Sequence, residues 1–138
     1  MAVEPSTTKE WMDVARERGA DAVAMLPNRS SSVGPVYMAG YAIECSIKAF
    51  LQENGIPRPT KGGQGHNLCG LWHVAKFRLA DLRDPTGRRA FFFEEWTTDL
   101  RYQIHCPAKT ADSAALVAAA KGLVGWIQSQ IKRQRRPR

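Results

Sequence analysis

The segment Pro35–Asn54 reads PVYMAGYAIECSIKAFLQEN and is followed by Gly55 and Pro57. Apolar side chains recur in it at three- and four-residue spacing, a pattern typical of an α-helix. Gly55 predicts where this helix stops, because glycine readily adopts the left-handed conformation that ends helices, and Pro57 cannot continue one. We therefore expect a long helix over residues 35–54.

Four other segments carry helical patterns, and short loops join them. No alternating strand pattern appears beyond the short Phe91–Phe93 run. We expect an all-α antiparallel bundle of four or five helices. The expected segments are a helix from Thr7 or Thr8 to about Leu26 that ends at Pro27, a helix from His66 or Asn67 that carries residues up to Leu79, an irregular helical region over Arg88–His105 after a turn at Asp84–Gly87, and a helix from Ala111 to about Arg133.

The composition fits one globular domain. The chain has 138 residues, of which 43% are hydrophobic and 24% charged, and its formal net charge is +7. We expect a helical domain over residues 1–131 and a basic tail over residues 132–138. The longest apolar stretch, Ala114–Ala120, is far below the roughly 20 residues that a membrane span needs. With no Sec-type signal and only three cysteines, the chain is expected to be cytoplasmic.

The positive charge is concentrated near the C-terminus. Residues 106–138 carry seven Lys or Arg and one Asp. Such a tail can bind phosphates through Coulomb attraction and counterion release. It can equally be a helix end whose cations offset the helix dipole. The tail alone does not distinguish the two. Its basic residues are Lys132, Arg133, Arg135, Arg136 and Arg138.

One face of the predicted helix over residues 35–54 is semi-polar. Tyr37, Tyr41, Glu44, Cys45 and Lys48 are spaced three or four residues apart on it. Glu44 precedes Lys48 by four residues, the favourable order for an intrahelical ion pair. A solvated stripe that contributes a few tenths of a kcal/mol is one interpretation. A semi-polar binding groove is the other.

A second group contains His66, Cys69 and His73, which share one face of the next predicted helix. Two nitrogen ligands and one sulfur suit zinc, and His105 or Cys106 would supply a fourth ligand. Structural zinc sites, however, usually take paired ligands from a turn, and helix capping and core packing explain these residues as well. We predict no metal, and no cofactor-binding motif such as GxGxxG is present.

Arg101, Tyr102 and His105 form a third group. If helix persists there, Arg101 and His105 lie one turn apart on the same face. An arginine can hold a phosphate, and a histidine can move a proton at a ribose hydroxyl or a leaving oxygen. Together they are candidate catalytic residues for metal-independent RNA cleavage, although such a pair also arises by chance.

Several of these segments resemble the HEPN family, over roughly residues 9–130. The stretch Ala39–Ala49 (AGYAIECSIKA) resembles the second-helix motif of one HEPN branch, and Gly65–Leu68 resembles the family's Gly-His-Asp-Leu helix start. Trp96 followed by Arg101-Tyr102 resembles its Trp…Arg-Tyr element, and the last helix with Gly125–Ile127 also fits.

The resemblance implies an antiparallel helical bundle, often homodimeric, that binds a nucleotide or RNA. Many members act with a small nucleotidyltransferase in toxin–antitoxin or defence modules. RNase members have four to six residues between the arginine and the histidine, whereas three separate Arg101 from His105 here. This spacing weakens the inference of nuclease activity. The site residues implied by the resemblance are Tyr41, Glu44, Lys48, His66, Arg101 and Tyr102.

Three functions follow as expectations. The leading one is a HEPN-like module that binds a nucleotide or RNA and acts with a partner such as a minimal nucleotidyltransferase. The second is a metal-independent endoribonuclease that uses Arg101 and His105. The third is a structural dimerisation domain whose basic tail binds nucleic acid nonspecifically.

Overall fold

The computed structural model describes residues 4–29, 32–59, 67–82, 84, 87–105 and 112–135. These residues form five α-helices and two 3₁₀ helices, and no strand beyond an isolated bridge between Ser32 and His105. The expected all-α bundle of four or five helices is confirmed. In chain order the elements are α1 (Thr8–Arg29), α2 (Gly34–Glu53), α3 (Leu68–Val74), a first 3₁₀ helix (Leu79–Leu82), α4 (Arg88–Glu94), a second 3₁₀ helix (Thr98–Tyr102) and α5 (Ser113–Arg135).

Helix α2 is the central element, and α1 and α5 both pack against it. Pro35 occupies the first turn, where its fixed φ suits a helix and its missing N–H costs nothing. After Asn54, Gly55 adopts a φ of +64°, and the N–H of Ile56 donates to the carbonyl of Leu51 at 2.9 Å. The predicted glycine stop is therefore confirmed.

Helix α1 begins at the predicted cap but ends later than expected. The hydroxyl of Thr7 accepts from the N–H of Glu10 at 3.1 Å and donates to its carboxylate at 3.0 Å. The expected break at Pro27 is wrong, because the helix continues to Arg29. A proline in the last turn removes one intrahelical hydrogen bond. Only two residues follow it, and the carbonyl of Arg29 accepts from the N–H of Ser32, which closes the end.

Helix α3 is shorter than predicted. Asn67 caps its start by accepting from the N–H of Gly70, but the helix ends at Val74 and does not reach Leu79. Lys76 adopts a φ of +66°, and the N–H of Phe77 donates to the carbonyl of Trp72 at 3.2 Å. This helix end is a Schellman motif. Its left-handed position is usually a glycine, and here it is a lysine.

The expected irregular helical region over Arg88–His105 consists of α4 and the second 3₁₀ helix, separated by Glu95–Thr97. Gly87 precedes α4 with a φ of +77°, and its N–H donates to the carbonyl of Asp84 at 3.3 Å, as the predicted turn requires. The Asp84 carboxylate then accepts from the N–H groups of Arg89 and Ala90. It thereby satisfies donors that a helix start leaves without partners.

Helix α5 incorporates part of the predicted basic tail. It begins at Ser113 after Asp112, whose carboxylate accepts from the N–H of Ala115 at 2.7 Å, and it continues through Arg135. Residues 132–135 are therefore helical, and residues 136–138 lie outside the described part. None of the described helices combines the length and apolarity that crossing a bilayer requires.

Candidate functional site

The semi-polar face of α2 points into the bundle. Glu44 is 3% exposed and Lys48 is 5% exposed, and the Lys48 ammonium donates to the Glu44 carboxylate at 2.9 Å. The interpretation as a solvated stripe is therefore wrong. In the interior the two opposite charges compensate each other. The stability of a buried charge depends on a well-placed partner far more than that of a surface charge does.

Trp11 of α1 covers this ion pair. The Lys48 Nζ lies 5.2 Å from the centroid of the indole ring, and the Arg58 guanidinium lies 5.1 Å from it. Arg58 also forms an ion pair with Glu4 at 2.7 Å. Cations are attracted to the negative face of an indole ring. Trp11 therefore attracts the side-chain cations of Lys48 and Arg58 as well as excluding water from the ion pair. The contacts join the start of α1 and the segment after α2 to the buried pair.

The two tyrosines of this face contact Trp96. The rings of Tyr37 and Trp96 stack with centroids 5.9 Å apart, and Tyr41 meets Trp96 edge-on at 5.7 Å. The Tyr37 hydroxyl donates to the Tyr41 hydroxyl at 3.3 Å. Gly40 makes this packing feasible, because a Cβ there would overlap Cε2 and Nε1 of the indole. Trp96 thus fixes the chain that leads into the second 3₁₀ helix against α2.

Cys45 is buried on the same helix. Burial raises the pKa of its thiol to about 12, and the neighbouring Glu44 carboxylate acts in the same direction. A thiol with such a pKa is a poor nucleophile at neutral pH, because the thiolate is the reactive form. Cys45 is therefore a packing residue within this face.

This assignment gives a reactivity prediction. Because its raised pKa keeps the Cys45 thiol protonated at pH 8, iodoacetamide is expected to leave Cys45 unmodified in the native protein. Cys69, which is only half-buried on α3, is expected to react first. Peptide mass spectrometry after timed labelling measures both, and labelling in urea is the control in which both react. Equal native rates would contradict the burial of Cys45.

The third predicted group does not lie on one continuous helix. The 3₁₀ helix ends at Tyr102, and Gln103 is extended with a ψ of 154°. The backbone then pairs with the start of α2, where the N–H of Val33 donates to the carbonyl of Ile104 at 3.0 Å and His105 bridges Ser32. The condition under which Arg101 and His105 would lie one turn apart on a shared helical face is therefore not met, because the helix does not persist beyond Tyr102.

The segment that carries this group is exposed. Tyr102 is 73% exposed, Ile104 is 77% exposed, and His105 is exposed as well. Arg101 lies in the second 3₁₀ helix, and its side chain is outside the described part. The exposed ring of Tyr102 and the exposed His105, three residues later, lie on a backbone segment that is hydrogen-bonded next to the start of α2, and a base or a phosphate can reach this surface.

The group of residues weighed as a zinc site, for which no metal was predicted, is only partly described. Cys69 is half-buried and His73 is exposed on α3, whereas His66 and Cys106 lie outside the described residues. In the described ranges no group of three His, Cys, Asp or Glu side chains is close enough to hold a metal ion. His66, which the resemblance also implied as a nucleotide-binding residue, directly precedes the capping residue Asn67 in the sequence.

The structure thus divides the predicted site residues into two sets. Tyr41, Glu44 and Lys48 support the interior, and Tyr102 and His105 lie on the surface. The role of Trp11 as the cover of the ion pair was missed. Its position in the apolar pattern of α1 predicts burial but does not indicate which helix or which charge it faces.

Comparisons with models of known protein families, with curated proteins and with solved structures found no match for this chain.

Proposed function

We propose that the chain is a HEPN-like helical module that binds single-stranded RNA or a nucleotide at the segment Arg101–His105. The exposed ring of Tyr102 carries the proposal. Single-stranded nucleic acids are bound by stacking bases on exposed aromatic side chains, with nearby cations on the phosphates. Arg101 precedes this ring, and His105 follows it on the same exposed segment.

The overall charge supports a polyanionic ligand. The chain carries 20 Lys or Arg against 13 Asp or Glu. Lys132 and Arg133 are exposed on the last turns of α5. Such positive charge raises both the association rate and the affinity for phosphates. Both effects weaken as the salt concentration rises. It supplies general attraction, and the Tyr102 segment supplies the local contact.

The α2 residues have a different role in this proposal. Glu44 and Lys48 are too deeply buried to contact a ligand from solvent, and we assign them to positioning. The paired Lys48 ammonium contacts the Trp11 ring of α1, and Tyr41 packs against Trp96. Trp96 in turn holds the chain that carries Arg101 and Tyr102. The resemblance to HEPN proteins supports a homodimer and a small nucleotidyltransferase partner in a toxin–antitoxin or defence module.

Replacement of Tyr102 tests the proposal directly. Tyr102→Ala is expected to weaken binding of a fluorescein-labelled single-stranded 20-nucleotide RNA by about tenfold, which corresponds to one stacked base. The melting temperature should not change, because the side chain is mostly exposed. Fluorescence anisotropy at fixed salt in EDTA measures the affinity. Tyr102→Phe is the matched control and should retain the affinity, since it keeps the ring.

The same assay separates the alternatives. Equal affinity of Tyr102→Ala and the parent would reject the proposed surface. Loss of all binding on removal of residues 132–138 would favour the structural domain with a nonspecific tail. RNA cleavage in EDTA by the parent but not by His105→Ala would favour the endoribonuclease. We expect binding without cleavage, because the helix that would align Arg101 with His105 ends at Tyr102.

A further inference from the structure

A groove lies between α1 and α5, above the central helix α2, and the proposed RNA interface does not include it. Its volume is about 490 Å³. Small apolar side chains from all three helices form its floor, and each of them is 4% exposed or less. The floor residues are Ala15, Ala22, Ala39, Ala42, Val117 and Ala120.

The groove exists because small residues meet where the three helices converge. A Cβ added at Gly19 would meet only the Cβ of Ala42, at the ordinary contact distance of 3.9 Å. Larger side chains here would fill the space between α1 and α5, as in most helix bundles. Val23 stands at the edge of the groove and is 48% exposed. The result is an apolar depression that opens to solvent.

The rim of the groove is positive. Arg16 of α1 and Lys121 of α5 line it and are exposed, and no acidic side chain lines it within the described ranges. Arg16 is 3.4 Å from Asp13, whereas Lys121 forms no ion pair with any described residue. Helix α5 itself carries four basic residues and no acidic one. An occupant with an apolar body and one negative group would match this arrangement.

The size of the groove favours a small molecule over a protein. Specific protein interfaces bury at least about 1,000 Å². Here the floor is already nearly inaccessible, and Val23 is the single large apolar side chain of the groove that is strongly exposed among the described residues. A second copy that docked through its own α5 would also bring like charges together. Small-molecule sites of about 300–1,000 Å³ that are mostly apolar, with a few polar groups, commonly lie between the helices of bundles.

We propose that the groove between α1 and α5 binds a single-chain anionic amphiphile, a carboxylate with a long alkyl tail. The tail lies along the alanine floor, and the carboxylate lies beside Lys121. Burial of the methylene groups removes apolar surface from water, so the alkyl chain supplies most of the affinity. The Lys121 ammonium at the rim fixes the direction in which the alkyl chain lies and favours a negatively charged head group.

Isothermal titration calorimetry with dodecanoate, below its micelle concentration, tests this proposal on the full chain. One molecule is expected to bind per chain. Lys121→Gln should raise the Kd roughly threefold, the size of one exposed charge pair. Lys132→Gln removes the same charge from the same helix away from the groove and should leave the Kd unchanged. Gly19→Leu, which fills the groove, should abolish binding, and Ala24→Leu at the exposed rim is a milder second variant.

Several results would overturn the proposal. These are the absence of saturable binding, equal binding of dodecyltrimethylammonium, and undiminished binding by folded Gly19→Leu and Ala24→Leu proteins. Sedimentation velocity tests whether a second copy of the chain occupies the groove. A concentration-dependent dimer that Gly19→Leu converts to a monomer would assign the groove to a second copy of the chain. RNA binding is measured separately, so failure here leaves the Tyr102 proposal intact.

Discussion

Lys48→Met is expected to lower the free energy of unfolding by about 3 kcal/mol or more. The substitution takes the lysine partner, 2.9 Å away, from a Glu44 carboxylate that is almost wholly buried. It also removes the cation from the Trp11 ring. Methionine has a similar length and flexibility, so the loss reports charge rather than packing. Urea denaturation followed by circular dichroism measures the change.

Two controls interpret this result. The double variant Glu44→Leu/Lys48→Met removes both charges and is expected to be more stable than Lys48→Met alone, because apolar pairs often replace buried ion pairs at little cost. Lys132→Met makes the same substitution at an exposed position and should stay within about 0.5 kcal/mol of the parent. A Lys48→Met protein as stable as the parent would show that the pair is not buried as described.

Gly40→Ala is expected to lower the free energy of unfolding by about 3 kcal/mol, at the upper end for overpacked sites. Within a helix, alanine is normally more favourable than glycine by about 1 kcal/mol. A loss of stability on this substitution would therefore itself indicate overpacking. The added methyl would overlap the indole of Trp96, which is held between Tyr37 and Tyr41. Because Trp96 also leads into the second 3₁₀ helix, RNA affinity should fall in the folded fraction as well.

Gly125→Ala is the matched control for this change. Gly125 lies within α5, and a Cβ there meets nothing within 4 Å. The substitution is expected to raise the stability by about 0.5–1 kcal/mol through helix propensity alone. If both glycine variants were stabilised equally, the close approach of Trp96 to α2 would be disproved. Urea denaturation, followed by circular dichroism and by tryptophan fluorescence, measures the stability of both variants.

The helices that the sequence predicted best are those with the clearest local signals. Helix α2 ends where Gly55 predicts, and α5 follows a long apolar repeat. The early end of α3 could not be predicted in this way, since a lysine at position 76 takes the left-handed conformation that the rules expect of glycine. The prediction that α1 ends at Pro27 was wrong by two residues, because the helix continues through this proline, in its last turn, to Arg29.

The candidate site was predicted as a set of residues but not as an arrangement. Spacing correctly places Glu44 and Lys48 within ion-pair distance on one helix. Spacing contains no information on which helix covers that face, so the burial under Trp11 was not foreseen. The same limit applies to His105, whose backbone pairs with Ser32, a residue 73 positions earlier in the chain. Long-range pairing of this kind leaves no periodic signal.

The bridge between Ser32 and His105 gives the proposed RNA-binding segment an opening equilibrium of its own. Among the described residues, few backbone hydrogen bonds join the segment to the residues just before α2, and the side chains of Tyr102 and Ile104 bury little surface. Detachment there costs far less free energy than global unfolding. Amide exchange at Val33 should accordingly be faster than in the centre of α2 and should slow when RNA binds. The ligand thus acts on a local conformational equilibrium that is separate from the global unfolding of the helical core.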